Sequence, residues 1–198
     1  MAFPSIPQGP NLSRRFVLGA AAAPLIGPEG LDSAQAEEAP APAPVNITLN
    51  VNGVDHALSI GAEATLAEVL RNRLGLTGTK MACNRGACSA CTVWLDGAPI
   101  PSCMMLAVEG GAREVLTIEG LADGETLHPV QQAFIDHDAM QCGYCTPGMA
   151  MAAAALIARN PDPTEADVEA AISGHLCRCG TYPHIVAATL AAAQARKG

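Results

Sequence analysis

Residues Cys83 to Cys103 read CNRGACSACTVWLDGAPIPSC, and the fold follows from how this stretch is understood. Its four cysteines, Cys83, Cys88, Cys91 and Cys103, are separated by four, two and eleven residues. Three thiols on so short a segment converge only if the backbone turns tightly, and Gly86, Ala87, Ser89 and Ala90 are small enough to permit it. A loop of this kind aims backbone N–H groups at sulfur and offsets its negative charge, as a metal–thiolate centre requires. A zinc site and a pair of disulfides are the competing readings. Zinc motifs usually use paired C-x2-C knuckles, however, and disulfides impose no such triplet.

The C-x4-C-x2-C spacing with a later fourth cysteine resembles that of plant-type ferredoxins, where the loop and a following segment ligate one 2Fe-2S cluster. The flanking sequence suits such a domain. Val45, Ile47, Leu49 and Val51 alternate with polar residues, Asn52-Gly53 supplies a two-residue turn, and Val54, His56, Leu58 and Ile60 alternate back, which predicts a β-hairpin. His56 reads as a half-exposed strand residue rather than a ligand. Thr65 and Glu68 form a capping box, and Leu66, Val69, Leu70 and Leu74 give the helix behind it one apolar face that Gly75 ends. Strands at Thr92 to Leu95 and Val115 to Ile118, with a turn at Asp96-Gly97, complete a β-grasp arrangement over residues 45–121.

The pattern changes after Leu121. Apolar residues recur at helical spacing near Pro129 to Asp136, Pro147 to Arg159, Glu165 to Ser173 and Pro183 to Ala195, predicting a four-helix bundle over residues 122–198. The remaining four cysteines lie here, as Cys142 and Cys145 in CGYC and Cys177 and Cys179 in CRC, each pair just before a helix. A four-thiolate 2Fe-2S cluster is anionic, and helix N-termini favour anions. A redox-active C-x2-C disulfide and a zinc clip are the alternatives at this second set.

The N-terminal residues have another character. Ser13-Arg14-Arg15-Phe16-Val17-Leu18 resembles a twin-arginine export motif, although Gly19 stands where a lysine is frequent. An uncharged run from Phe16 to Gly27 and a small-residue Ala34-Gln35-Ala36 site follow. Residues 1–36 are therefore expected to act as a signal peptide that routes a folded protein to the periplasm. The apolar run is too short for a permanent membrane helix. Export in the folded state would let thiolates be ligated before they meet an oxidising compartment. Residues 37–44, EEAPAPAP, form a proline-rich extended linker.

Composition narrows the function further. Of 198 residues 49% are hydrophobic, 15% charged and only 3% aromatic, and the formal net charge is −8. An acidic chain with so few stacking residues is not built for nucleic acid. No G-x-G-x-x-G follows a predicted strand and no P-loop occurs, so neither a flavin nor a nucleotide domain is expected within the chain.

Three motifs together, the Cys83 loop, QCGYCTPGM at Gln141 to Met149 and LCRCGTY at Leu176 to Tyr182, resemble the iron-sulfur part of the xanthine oxidase family of molybdenum hydroxylases. The resemblance implies an α+β chain with a β-grasp ferredoxin domain and a helical domain, each holding one 2Fe-2S cluster. It implies that Cys142, Cys145, Cys177 and Cys179 ligate the cluster nearer the molybdopterin, with Gln141 and Cys179 close enough to hydrogen-bond the pterin. Cys83, Cys88, Cys91 and Cys103 would hold the outer cluster. Many family members carry glycine where this chain has Asn84 and Ser89. The molybdopterin cofactor and FAD would reside on partner subunits, a large molybdopterin-binding chain and a flavin chain. With the export signal, the resemblance points to a periplasmic aldehyde oxidoreductase that makes carboxylic acids using water as the oxygen source. A purine or N-heterocycle hydroxylase subunit, a free-standing ferredoxin-like carrier and a zinc or disulfide module are the other readings.

Overall fold

The computed structural model describes residues 43–196. The expected signal peptide and nearly all of the expected linker lie outside these residues.

Among the described residues, five strands and one α-helix come first. Strands β1 (Val45–Val51) and β2 (Val54–Ile60) pair antiparallel in the expected register, His56 facing Leu49. Helix α1 (Leu66–Asn72) follows, capped as the sequence predicts: the Thr65 hydroxyl accepts from the Glu68 amide, and the Glu68 carboxylate accepts from the Thr65 amide at 2.9 Å. Strands β3 (Thr92–Leu95), β4 (Ala98–Pro101) and β5 (Glu114–Leu116) complete a mixed sheet of order β2-β1-β5-β3-β4, with β1 and β5 parallel. Both two-residue hairpins turn through paired positive φ angles, 53° and 78° at Asn52-Gly53 and 51° and 77° at Asp96-Gly97. This twist matches that of the flanking strands. The last strand is shorter than expected, because the chain leaves the sheet after Leu116 and tightens into a 3-10 turn at Ile118–Leu121. Leu49, Leu66, Leu70, Val93 and Val115 fill the space between sheet and α1. Each such side chain, fully buried, contributes about 1.5–3 kcal/mol.

Four helices are described beyond the sheet: α2 (Pro129–Asp136), α3 (Thr146–Arg159), α4 (Glu165–Ile172) and α5 (Tyr182–Ala195). Thr164 and Asp167 cap α4 reciprocally. Helix α3 is apolar almost all round, and ten consecutive residues from Gly148 to Ile157 are buried. A helix of that kind must sit in the middle of a core. Its Met149 and Ile157 share one cluster with Phe134, Ile172 and Ile185 of the surrounding helices.

The sheet reaches the same core. Trp94 on β3 packs against the helical cluster and donates from Nε1 to the Met151 carbonyl of α3 at 2.9 Å. At the passage between the halves, Thr117 is fully buried and its amide donates to the Asn52 side chain at 2.9 Å, which ties the crossover to the first hairpin turn.

Candidate iron-sulfur centres

The Cys83 loop wraps through a succession of left-handed residues. Asn84, Gly86 and Ser89 have φ of 49°, 72° and 54°. Such values are free of strain only for glycine and are tolerated by asparagine. This explains in physical terms why glycine suits the positions of Asn84 and Ser89. The turn brings the Ala87 amide onto the Cys83 sulfur at 3.3 Å. Cys88, Cys91 and Cys103 are buried and Cys83 is half-exposed. Cys103 lies in a 3-10 turn, Ser102–Met104, behind β4. The neighbouring Ser102 hydroxyl donates to the Cys91 carbonyl at 2.6 Å, which fixes the late cysteine against the early loop.

The second set stands on two helix starts. Cys145 immediately precedes α3, and Cys177 and Cys179 precede α5. Cys142 is exposed, and the other three are half-buried. Gln141 is exposed beside Cys142. The Cys177 sulfur lies 3.3 Å from the Thr181 hydroxyl.

All eight cysteines are free thiols, and among the described residues no three or more His, Cys, Asp or Glu side chains close on a single point. Within each set the thiols approach one another. Cys83 interacts with Cys88, Cys91 with Cys103, Cys145 with Cys177, and Cys142 with Cys179. A binuclear cluster asks for this arrangement, because each of its two irons takes two protein ligands. The residues present fit one such group per set: Cys83, Cys88, Cys91 and Cys103 could hold one, and Cys142, Cys145, Cys177 and Cys179 another.

The acidities agree with that chemistry. Hydrogen bonds from the Arg85 amide and from Cys88 bring the Cys83 thiol down to about 7. Burial pushes Cys91 up to about 11, and burial with the contact to Cys177 pushes Cys145 up to about 12. Burial also opposes ionisation of Cys177, but the Thr181 hydroxyl and amide outweigh it and bring that thiol down to about 7. Each set thus contains a thiol that ionises readily, Cys83 or Cys177, and one whose ionisation burial opposes, Cys91 or Cys145, for which a bound cation would supply the compensating charge.

The sequence did not reveal how the two sets are joined. The Leu176 amide, one residue before Cys177, donates to the carbonyl of Cys88 at 3.1 Å. The buried His175 ring lies 3.1 Å from the Thr92 hydroxyl through Nε2, and the exposed Tyr144 hydroxyl donates to the Met81 carbonyl at 2.6 Å. A buried histidine between a helix end and a CRC motif was the one available signal. Nothing in the spacing named its partner.

Fold and site together define a two-domain iron-sulfur protein. Residues 49–117 match the 2Fe-2S iron-sulfur cluster binding domain family, and residues 117–190 match the [2Fe-2S] binding domain family. The nicotine 6-hydroxylase small subunit of Paenarthrobacter nicotinovorans is 47% identical over 74% of this chain and 88% of its own length. The aldehyde oxidoreductase iron-sulfur-binding subunit PaoA of Escherichia coli is 37% identical over 92% of this chain and 88% of its own. Among solved structures, quinoline 2-oxidoreductase from Pseudomonas putida 86 superposes with a TM-score of 0.75 at 41% identity, covering 79% of this chain and 99% of the matched one. The chain belongs to the iron-sulfur subunits of the xanthine oxidase family of molybdenum hydroxylases.

Proposed function

We propose that the chain is the electron-transfer subunit of a multi-subunit molybdenum hydroxylase that oxidises aldehydes to carboxylic acids. Residues 45–121 form the β-grasp ferredoxin domain and residues 122–198 the four-helix cluster domain. In this reading Cys142, Cys145, Cys177 and Cys179 hold the cluster nearer the molybdopterin of a large partner subunit, where Gln141 and Cys179 approach the pterin. Cys83, Cys88, Cys91 and Cys103 hold the outer cluster, which passes electrons to FAD on a further subunit or to another acceptor. The observation that carries the reading is the hydrogen bond between the Cys88 carbonyl and the Leu176 amide, since it joins two cysteine sets into one route. A free carrier has no need for an inner set open to the surface at Cys142 and flanked by exposed Met140, Tyr144 and Leu176. Exposed apolar groups gathered around a site are suited to a protein partner.

Substrate and compartment rest on the reach of the similarity. The share of the chain matched by the aldehyde oxidoreductase subunit, 92%, exceeds what residues 43–196 can supply, so the likeness extends well into the segment bearing Arg14 and Arg15. That reach favours an aldehyde oxidoreductase, and the motif Ser13-Arg14-Arg15-Phe16-Val17-Leu18 favours export through the twin-arginine pathway to the periplasm. The higher identity to a nicotine hydroxylase subunit favours the second reading, an N-heterocycle hydroxylase. Isolation of the chain with its natural partners, followed by assay against aldehydes and N-heterocycles in isotopically labelled water, separates the two. Labelled carboxylic acids are the expected products. Labelled hydroxy-heterocycles alone would establish the second reading, and isolation of the chain as a stable monomer retaining both clusters would replace both with a free carrier.

A further inference from the structure

We propose that His175 is a positioning residue for electron exchange between the two cysteine sets, a role that rests on the two-cluster reading above. The segment from His175 to Cys177 is pinned at three points. The Leu176 amide donates to the Cys88 carbonyl at 3.1 Å. The Tyr182 hydroxyl donates to the His175 carbonyl at 3.0 Å and accepts from the Cys177 amide at 2.8 Å. The His175 ring, 8% exposed, reaches across to Thr92, the residue after Cys91, at 3.1 Å.

The direction of this last bond follows from proton count. The Thr92 hydroxyl has one proton and gives it to the Ser89 carbonyl at 2.7 Å, so it accepts from His175 Nε2–H. On the other side of the ring, Nδ1 is buried without a hydrogen-bond partner. The buried imidazole therefore has Thr92 as the side chain it holds. Thr92 in turn closes the turn that begins at Ser89, directly after Cys88. The Cys88 carbonyl is therefore held between its own ligand loop and the Leu176 amide, and His175 locks the two loops together from behind.

Between Cys88 and Cys177 this leaves a path made of backbone and one hydrogen bond, with no gap to cross through space. With a 2Fe-2S cluster held by each set, one electron would pass along this path from the inner cluster, which would be oxidised, to the outer cluster, which would be reduced. The electron comes from the substrate oxidised on the partner subunit, or from dithionite in the test below. Loosening His175 lengthens the only non-covalent link in that path without touching a cysteine.

The test compares His175→Ala, His175→Gln, Thr92→Val and Thr92→Ser in the full cluster-bearing chain, in the assembly it forms in cells. Iron content and the visible spectrum report the clusters. Residue-resolved hydrogen exchange reports the Leu176 amide, and freeze-quenched paramagnetic resonance after partial reduction with dithionite reports electron equilibration between the sets. Loss of one hydrogen bond worth about 1 kcal/mol corresponds to an about fivefold drop in protection. His175→Ala and Thr92→Val are expected to keep both clusters, to lose about that much protection at Leu176 and to equilibrate more slowly. His175→Gln and Thr92→Ser, which keep a donor and a hydroxyl, are expected to restore both. Unchanged protection and unchanged equilibration in His175→Ala would overturn the proposal. Where His175→Ala does not fold, the same result in Thr92→Val would overturn it. An unmodified chain with fewer than two clusters would instead remove the reading on which the proposal stands.

Discussion

Replacing Gly148 with alanine drives a methyl group into the contact between α3 and the Cys83 loop. A Cβ at this position would lie 3.1 Å from the Ala90 Cα and carbonyl oxygen, and closer still to the Ser89 carbonyl oxygen. All three obstacles are backbone, so the helix start and the loop must move apart. Overpacking of this kind costs about 1–3 kcal/mol. Alanine is the better helix former by about 1 kcal/mol, which offsets part of the cost because Gly148 lies in the first turn of α3. Because every obstacle is backbone the cost lies at the upper end, and a net loss of about 2 kcal/mol remains, or a fall in Tm of about 4–8 °C for a chain of this size. Thermal unfolding of the cluster-bearing protein, followed by circular dichroism, measures it. Because the displaced residues flank Cys88 and Cys145, electron equilibration between the two sets should slow in the same variant. A Gly148→Ala protein as stable as the parent, or more stable by the helix gain alone, would refute the close packing of α3 on the loop.

Other consequences follow from single residues. Ser89 occupies the left-handed region that glycine occupies freely, so Ser89→Gly should raise stability by up to about 1 kcal/mol in denaturant titration. Arg113 and the Glu114 amide hold the Asp96 carboxyl below its ordinary range. Its stabilising effect is present above the unfolded carboxylate value of about 4 and is lost as pH falls through the lower folded value, so Asp96→Asn should flatten the acid limb of a stability–pH curve. Changing Arg14 and Arg15 together to lysine should abolish periplasmic accumulation in cell fractionation. Cys142→Ser exchanges a thiolate for a harder oxygen donor and should damage the inner cluster alone. In that complex, substrate should no longer reduce the outer cluster at the normal rate, while dithionite still does.

Local features of the fold were legible because each is written in neighbouring residues. Alternation marked β1 and β2, Asn52-Gly53 marked the turn between them, Asp96-Gly97 marked the turn after β3, and Thr65 with Glu68 marked a helix start. Cysteine spacing marked both sets for the same reason. Strand β4 escaped notice because Pro99 and Pro101 interrupt its pattern, and they are tolerated there only because β4 is an edge strand. The contacts joining the two halves were not legible. Thr92 and His175 are 83 positions apart, and the Cys88 to Leu176 bond is a backbone bond that no side chain announces. Nothing beside Gly148 in the sequence announces that its α-carbon faces the backbone of Ser89 and Ala90.

The central claim is that this one chain carries two distinct 2Fe-2S clusters, one on each cysteine set. Paramagnetic resonance of the dithionite-reduced protein tests it directly, with iron measured on the same sample. Two signals of equal integrated intensity, distinct in shape because one set is largely buried and the other open at Cys142, are the predicted result. A colourless protein, or a single signal that remains unchanged when Cys142 is replaced by serine, would contradict it.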